Sequence, residues 1–169
     1  MKIRISRPTR LRIGPFALVA IAFLFVACLI WAKSPAAKRE RVTSTEFRAL
    51  MNTIADAWNS GDARKAAECY TEDAVYTEPP DRQVHVGRDN LFQFFGGNEK
   101  PESPMHMQWH NLAFDEESQL GFGEYTFQMT NRYHGIVVVR LRDGKISNWR
   151  EYQYKSDLTW PQFTHLNPF

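Results

Sequence analysis

Three side chains at alternate positions near the end of the chain have the types best suited to chemistry on a small molecule. Trp149, Glu151 and Gln153 follow an Asp-Gly dipeptide that lies between two β-type runs, which is a strong signal for a hairpin turn. Successive side chains of a strand point to opposite faces of a sheet, so these three share one face. If that face lines a cavity, it places a carboxylate, an amide and an indole together, and the carboxylate can exchange protons with a ligand.

A second candidate carboxylate is Glu78, which ends a short β-type run before two prolines. Glu78 has two open interpretations: a cavity carboxylate whose pKa is raised by burial, or an acid in water at the end of a strand beside Arg82. Glu151 also has two: a cavity carboxylate, or one half of an ion pair with His134 or with an arginine of a neighbouring strand. Glu78 and Glu151 are therefore the candidate catalytic residues.

The histidines at positions 106, 110 and 134 raise the question of a metal site. His106 and His110 would share a strand face, but four rises of ~3.3 Å separate them by ~13 Å, which is too far for one metal ion. No cysteine–histidine cluster has the spacing of a structural zinc site, and the sequence has no glycine-rich loop for a nucleotide. We therefore expect neither a metal nor a cofactor.

Further side chains are candidates for the wall of a ligand cavity. Trp109 and His110 are consecutive in a predicted strand, so one faces inward and the other outward. Glu124, between Gly123 and Tyr125, has the same ambiguity. In addition to Trp149 and Gln153, the candidate ligand-binding residues are Tyr70, Tyr76, Trp109, His110 and Glu124.

Helical patterns precede extended ones in the part of the chain that must position these side chains. Thr43 and Glu46 have the spacing of a capping box, and an apolar stripe of helical periodicity follows them: Phe47, Leu50, Met51, Ile54 and Trp58. A second, shorter helix capped by Asp62 and containing Tyr70 is predicted next, and a third begins after Gly87. Extended runs are predicted at 74–78, 105–114, 119–130 and through the hairpin 133–154. Helices followed by a meander of antiparallel strands predict an α+β domain with the helices on one face of the sheet.

Several short motifs occur in a characteristic order after the first 40 residues: Ala57-x-Asn59-x-Gly61-Asp62, Tyr70, Asp73-Ala74-Val75, Gly87 before a helix, and the Asp-Gly-Lys turn of the hairpin. In this order they resemble the nuclear transport factor 2-like superfamily and, within it, the SnoaL-like group. The resemblance covers about 41–169. It implies a curved antiparallel sheet wrapped around three helices, a cone whose open end is a small-molecule pocket, and a homodimer formed through the sheet. It implies no single activity, because this scaffold hosts isomerases, dehydratases, cyclases and non-catalytic binders.

Ketosteroid isomerases of that superfamily offer a closer comparison of single positions. Glu78 falls where their carboxylate general base lies. Ile54 and Val137 occupy the positions of the tyrosine and the protonated aspartate that form their oxyanion hole. An oxyanion hole usually supplies the largest electrostatic contribution to such catalysis, so steroid isomerisation is not expected. The same alignment turns the face of Trp149 toward the interior of the cone, in agreement with the alternation of the strand.

The first 42 residues carry a different pattern. The basic tail 1–12 contains five cations and no acid, and the segment 13–32 contains 20 uncharged residues. That length matches a helix that crosses a hydrocarbon core of ~30 Å. A cleaved signal peptide and a lipoprotein modified at Cys28 are the alternatives, but the apolar run exceeds the ~7–15 residues of a signal peptide and lacks a good cleavage site.

These observations predict an anchor at 13–32, a linker at 33–42 and a SnoaL-like domain at 43–169. The excess of cations before the anchor favours a cytoplasmic N-terminus, with the C-terminal domain in the periplasm or the extracellular space. Beyond Arg41 the chain is slightly acidic and has no basic patch among aromatic residues, so we expect no nucleic-acid partner. The hairpin has apolar residues on both faces, which favours a homodimer.

The sequence therefore predicts a membrane-anchored domain that binds a small apolar or aromatic molecule in a cone-shaped pocket. If it is an enzyme, Glu78 or Glu151 moves a proton in a dehydration, isomerisation or cyclisation that needs no cofactor. The alternative is a non-catalytic ligand-binding or assembly module of an envelope complex. An open pocket with converging polar groups would favour ligand chemistry, whereas a pocket filled by side chains would favour assembly.

Overall fold

The computed structural model describes residues 41–78, 82–99 and 105–168. These residues contain the helices α1 (Ser44–Ser60), α2 (Ala63–Glu68), α3 (Arg88–Phe94) and α4 (Trp160–Phe163). They also contain the strands β1 (Tyr70–Thr77), β2 (Val84–Val86), β3 (His106–Asp115), β4 (Leu120–Gln128), β5 (Arg132–Arg142) and β6 (Lys145–Lys155). The sequence did not predict β2 or α4, because three or four residues are too few to show a periodic pattern.

The N-terminal predictions fall on another part of the chain. The basic tail 1–12, the anchor 13–32 and most of the linker 33–42 lie outside the described residues. Within residues 41–78, 82–99 and 105–168, no helix is both long and apolar enough to cross a membrane.

The helices begin and end where local chemistry requires. The Thr43 side chain accepts a hydrogen bond from the Glu46 backbone N–H, and the Glu46 carboxylate accepts one from the Thr43 backbone N–H, which confirms the capping box at the start of α1. Gly61 ends α1 with a φ of 71°, which a glycine adopts without strain. Asp62 caps α2 by accepting a hydrogen bond of 2.9 Å from the Lys65 backbone N–H. The prediction that α2 contains Tyr70 is wrong, because α2 ends before Cys69 and Tyr70 is the first residue of β1.

The six strands form one curved sheet in the order β2-β1-β6-β5-β4-β3. Together with the helices, this sheet makes an α+β fold. Strands β3 to β6 form the predicted antiparallel meander. The expectation of an antiparallel sheet throughout is wrong at one place, since β1 and β6 run parallel. Strand β6 is the last strand of the meander, and it lies beside β1 and runs in the same direction as β1. This pairing places Tyr76 directly opposite Trp149.

The hairpin formed by β5 and β6 lies in the middle of the sheet and has a tight turn at the Asp-Gly dipeptide. Arg142 pairs with Lys145, so the loop contains only Asp143 and Gly144, with φ values of 53° and 77°. Two positive φ values in a two-residue loop give the tight turn that an Asp-Gly sequence favours. The hairpin is therefore of the two-residue kind.

One face of the sheet packs against α1 and carries the core, and we call it the inner face. Val137, Val139 and Trp149 are buried there against apolar residues of α1. Ile136 and Tyr152 on the opposite, outer face are exposed. The predicted alternation within the hairpin is therefore confirmed, since neighbouring residues differ in burial as a strand requires.

Candidate functional site

A cavity of about 400 Å³ opens between the inner face of the sheet and the C-terminal ends of α1 and α3. Its wall is mainly apolar and includes Trp58, Phe94, Phe95, Met107 and Phe127. Its polar side chains among the described residues are Tyr76, Glu78, Gln83 and Glu151. Small-molecule sites in proteins are typically clefts of roughly 300–1,000 Å³ with apolar walls and a few converging polar groups. The cavity has this character.

Glu151 is the most deeply buried charged residue of the cavity, with 6% of its surface exposed. Its Oε2 accepts hydrogen bonds from the Trp149 indole N–H at 2.8 Å and from the Tyr76 hydroxyl at 2.7 Å. Its Oε1 accepts a hydrogen bond from the Tyr125 hydroxyl. Three strands, β1, β4 and β6, therefore supply the groups that hold this one carboxylate in place.

The hydrogen-bond partners of Glu151 are neutral, which decides between the two interpretations of this residue. The ion pair with His134 does not form, because His134 lies on the outer face, where its ring bonds to the Thr126 hydroxyl and to the Leu158 carbonyl oxygen. Burial raises the pKa of Glu151, and the three hydrogen bonds offset part of that increase. Glu151 is thus a buried cavity carboxylate held by neutral donors.

Glu78 lies at the end of β1 and lines the same cavity. Its Oε1 accepts a hydrogen bond from the Gln153 amide, and its Oε2 lies 3.2 Å from the Tyr76 hydroxyl oxygen. Burial, and next the negative charge of Glu151, raise the pKa of Glu78 to about 7, while the contact with Tyr76 acts in the opposite direction. Glu78 is therefore a half-buried carboxyl group that lines the cavity near Glu151, which favours the first of its two interpretations over an acid in water.

The two tyrosines that contact Glu151 keep their hydroxyl protons. Burial, followed by the charge of Glu151, raises the pKa of both Tyr76 and Tyr125. A neutral hydroxyl can donate one hydrogen bond, which is the role that both have here.

The structure brings five of the predicted site residues together: Tyr76, Glu78, Trp149, Glu151 and Gln153. Tyr70 and Trp109 face inward but lie in the core behind the cavity. Tyr70 packs against the rings of Tyr76 and Trp149, and the Trp109 indole N–H donates to the Met51 carbonyl oxygen at 2.8 Å. These two side chains support the wall and do not line it.

Two other predicted residues lie on the outer face. His110 bonds to the Thr126 hydroxyl at 2.7 Å and stacks on the Trp160 ring of α4. Glu124 accepts a hydrogen bond of 2.7 Å from the Asn111 amide. Trp109 is the inward member of its pair because it alternates with the buried Met107. The bulge between Trp109 and Asn111 leaves both His110 and Asn111 on the outer face.

Tyr125 is a residue of the site that the sequence did not predict. The signal for it was present, because strand alternation places Tyr125 inward whenever Glu124 faces outward.

Among the residues that the structure describes, no group of three or more histidine, cysteine, aspartate or glutamate side chains is arranged to hold a metal ion.

The raised pKa of Glu78 predicts how stability depends on pH. The ordinary pKa is 4.5, so between about pH 4.5 and 7 the folded chain binds more protons at Glu78 than the unfolded chain does. Stability from this residue is therefore fully present below pH 4.5 and is lost as the pH rises through 7. Glu78→Gln should flatten the fall in melting temperature between pH 5 and 8. Burial lowers the pKa of His110, so this residue makes stability rise with pH. It does so equally in the parent and in Glu78→Gln and therefore does not affect the comparison. Parallel melting curves for parent and variant would contradict the prediction.

The family model of the SnoaL-like domain matches residues 51–149 of the chain. No curated protein matches the sequence of this chain.

Solved structures with similar folds come from several bacteria. A protein with a cystatin-like fold from Methylobium petroleophilum is 18% identical, with a TM-score of 0.60 over 72% of this chain and 84% of that one. A proposed ketosteroid isomerase from Kribbella flavida is 19% identical, with a TM-score of 0.56 over 74% and 90% of the two chains. An epoxide hydrolase from M. tuberculosis is 17% identical, with a TM-score of 0.56 over 65% and 84%. At these identities the similarity establishes the fold alone.

Proposed function

We propose that this chain, which belongs to the SnoaL-like domain family, binds a small, uncharged apolar or aromatic molecule and performs acid–base chemistry on it without a cofactor. The observation that carries the proposal is a pair of carboxyl groups, Glu78 and Glu151, at one end of an apolar cavity. Both have a raised pKa, and both contact the same tyrosine hydroxyl. A dehydration, an isomerisation and a cyclisation all require such a group to take a proton from one atom or to give one to another.

The pKa of Glu78 supports its role as the group that exchanges the proton. A general acid or base works best when its pKa lies near the working pH, and Glu78 has a pKa of about 7. Glu151 is more deeply buried and accepts three hydrogen bonds. It is better placed to influence Glu78 through its charge than to leave its donors for a ligand.

The wall of the cavity supports an uncharged ligand. Its described lining contains two acids and no lysine, arginine or histidine, so an anionic ligand would be repelled without a compensating cation. Aromatic and methionine side chains cover most of the remainder and can bury apolar surface at roughly 25 cal/mol per Å². The similarity in fold to a proposed ketosteroid isomerase and to an epoxide hydrolase is consistent with chemistry of this kind on this scaffold.

The decisive experiment identifies the ligand and then follows a proton. Small molecules that co-purify with the full chain are identified by mass spectrometry, and each is incubated with the protein in D₂O. The expected result is conversion of the ligand, with deuterium incorporated at carbon where the reaction is an isomerisation. The conversion should be slowed by about 10²–10⁴-fold in Glu78→Gln, which is the usual contribution of a general acid–base group. Glu124→Gln on the outer face is the matched control. A ligand that binds but is neither converted nor exchanged would instead favour a non-catalytic binding module.

Membrane attachment of the domain is part of the same proposal. The length of the uncharged segment 13–32 and the five cations before it support a retained anchor, with the domain in the periplasm or the extracellular space. N-terminal sequencing of the mature protein should find an intact N-terminus, and a start near Cys28 or Lys33 would contradict this. A reporter fused after Phe169 should be active outside the cytoplasm.

We further propose that two copies of the domain associate through the outer face of the sheet. Large apolar side chains are exposed there, including Ile136, Tyr152 and, at 65% exposure, Tyr154. An exposed apolar face of this kind is often covered by a partner. Light scattering should give twice the mass of one chain at tens of micromolar, and Tyr152→Lys should shift the protein toward the monomer. A parent protein that is monomeric at that concentration would refute the association.

A further inference from the structure

The hydroxyl group of Tyr76 stands between the two carboxyl groups of the site. Its oxygen lies 2.7 Å from Oε2 of Glu151 and 3.2 Å from Oε2 of Glu78. The remaining contacts of the carboxyl groups have other donors: Trp149 and Tyr125 for Glu151, and Gln153 for Glu78. Tyr76 is therefore the described side chain that connects the two carboxyl groups directly.

The number of hydrogen atoms at this bridge determines which protonation states fit it. A tyrosine hydroxyl has one hydrogen and can also accept. If both carboxyl groups are ionised, that hydrogen serves only one of them, and the other oxygen faces a lone pair of the hydroxyl. If Oε2 of Glu78 carries a proton, it can donate to Tyr76 while Tyr76 donates to Glu151. In this second state both contacts contain a hydrogen, so the geometry fits one proton shared by the pair.

We propose that Tyr76 relays this proton between Glu78 and Glu151, so that the two carboxyl groups act as one acid–base unit. In the step, the O–H bond of Glu78 breaks as its proton passes to the Tyr76 oxygen, and the original Tyr76 hydrogen passes to Oε2 of Glu151. Tyr76 is neutral before and after, and the negative charge moves from Glu151 to Glu78. The step needs no water and no co-reactant.

The relay gives Glu78 both catalytic forms while the cavity is closed by its ligand. With the shared proton on Glu78, that residue is an acid; with the proton on Glu151, Glu78 is a carboxylate base at the same position. Both residues line the cavity, so a proton taken from one atom of the ligand can be returned to another atom. The relay rests on the proposed function for its use in catalysis, whereas its existence can be measured without a ligand.

The groups that surround the pair on its neighbouring strands are known. Among the described residues, Tyr70 and Tyr76 of β1 and Tyr125 of β4 are titratable groups that interact with Glu151. His85 of β2 pairs with Tyr76 and lies beside its ring. Burial raises the pKa of each of these tyrosines, so none of them ionises between pH 5 and 9. Signals observed at the two glutamate carboxyl carbons in that range therefore follow the carboxyl pair, and they are compared with those of a His85→Gln variant.

The test is a pH titration of the full chain labelled with ¹³C at the glutamate side-chain carboxyl carbons. In the parent, the signals of Glu78 and Glu151 should move together over the same pH interval, because both carry a fraction of one proton. In Tyr76→Phe, the shared step should be lost, and a single residue should account for most of the shift in each interval. Tyr125→Phe is the matched control, since it removes a hydroxyl that bonds to Glu151 without bridging the pair, and the shared step should persist.

A second variant keeps the test sound if Tyr76→Phe fails to fold. In Glu78→Gln, one end of the relay cannot ionise, so the Glu151 signal should titrate in a single step of its own. A parent in which the proton stays on one carboxyl group overturns the relay, and so does a shared step that survives in Tyr76→Phe. Because no ligand is present, failure of the relay is distinct from failure of the proposed catalysis, which the deuterium experiment measures.

Discussion

Replacing Glu151 by leucine is expected to lower the free energy of unfolding by roughly 2–6 kcal/mol, although the change removes a buried charge. Two donors would lose their acceptor, the Trp149 indole N–H and the Tyr125 hydroxyl, whereas the Tyr76 hydroxyl can still donate to Glu78. A buried donor left without a partner costs about 1–3 kcal/mol. The melting temperature of the full chain, or its midpoint in urea, measures the loss.

Glu151→Gln separates the charge from the hydrogen bonds. The amide oxygen can accept from Trp149 and Tyr76, and the amide nitrogen can donate to the Tyr125 oxygen. Stability should therefore be unchanged or slightly higher, since the variant no longer buries an ion. Glu124→Leu on the outer face is the control and should have a small effect, because Glu124 accepts one hydrogen bond near the surface. A large loss of stability in Glu151→Gln would show that the negative charge itself holds the fold.

Gly135→Ala is expected to be strongly destabilising, although it adds only a single methyl group. The added Cβ would lie 2.5 Å from the Tyr125 hydroxyl oxygen and 2.6 Å from the backbone carbonyl oxygen of Tyr152. Neither atom can move without disturbing β6 or the hydrogen bond between Tyr125 and Glu151. Overpacking of this kind costs about 1–3 kcal/mol and sometimes more, and we expect the upper end.

The same variant links the fold to the site. If Tyr125 is displaced, Glu151 loses one of its three donors, and its carboxyl signal should titrate at a higher pH than in the parent. Gly144→Ala is the matched control, because its Cβ would meet no atom within 4 Å. The only expected penalty is backbone strain, since alanine would have to adopt the positive φ of 77°. That strain costs roughly 1–2 kcal/mol and leaves the site untouched. If Gly135→Ala were as stable as the parent, the packing between Gly135 and Tyr125 would not be needed for the fold.

Much of the site follows from local rules of the chain. Alternation along one strand is sufficient to place Trp149, Glu151 and Gln153 on the same face, because the direction of each side chain is fixed by its neighbours. The start of α1 and the hairpin turn are also local, since a capping box and an Asp-Gly loop satisfy backbone groups within a few residues. The order of such motifs was enough to indicate the family.

The tertiary structure decided the features that depend on distant residues. Alternation fixes that Glu124 and Tyr125 face opposite ways but not which of them faces inward, and the packing of the sheet on α1 makes that choice. Tyr70 belongs to β1 rather than to α2 because it pairs with Ile146 of β6, 76 positions later in the chain. Tyr76 reaches Glu151 through the same parallel pairing.

The chemistry of the carboxyl pair depends on the same long-range contacts. Glu78 and Glu151 come from strands at opposite ends of the domain sequence, and the sequence left each of them between a cavity role and an ordinary one. Burial raises the pKa of both, and the charge of Glu151 raises that of Glu78 further. The donors that hold Glu151 come from β1, β4 and β6. A sequence specifies which groups can ionise, whereas the folded chain sets the distance between them and the water around them, and these two quantities determine where the proton lies.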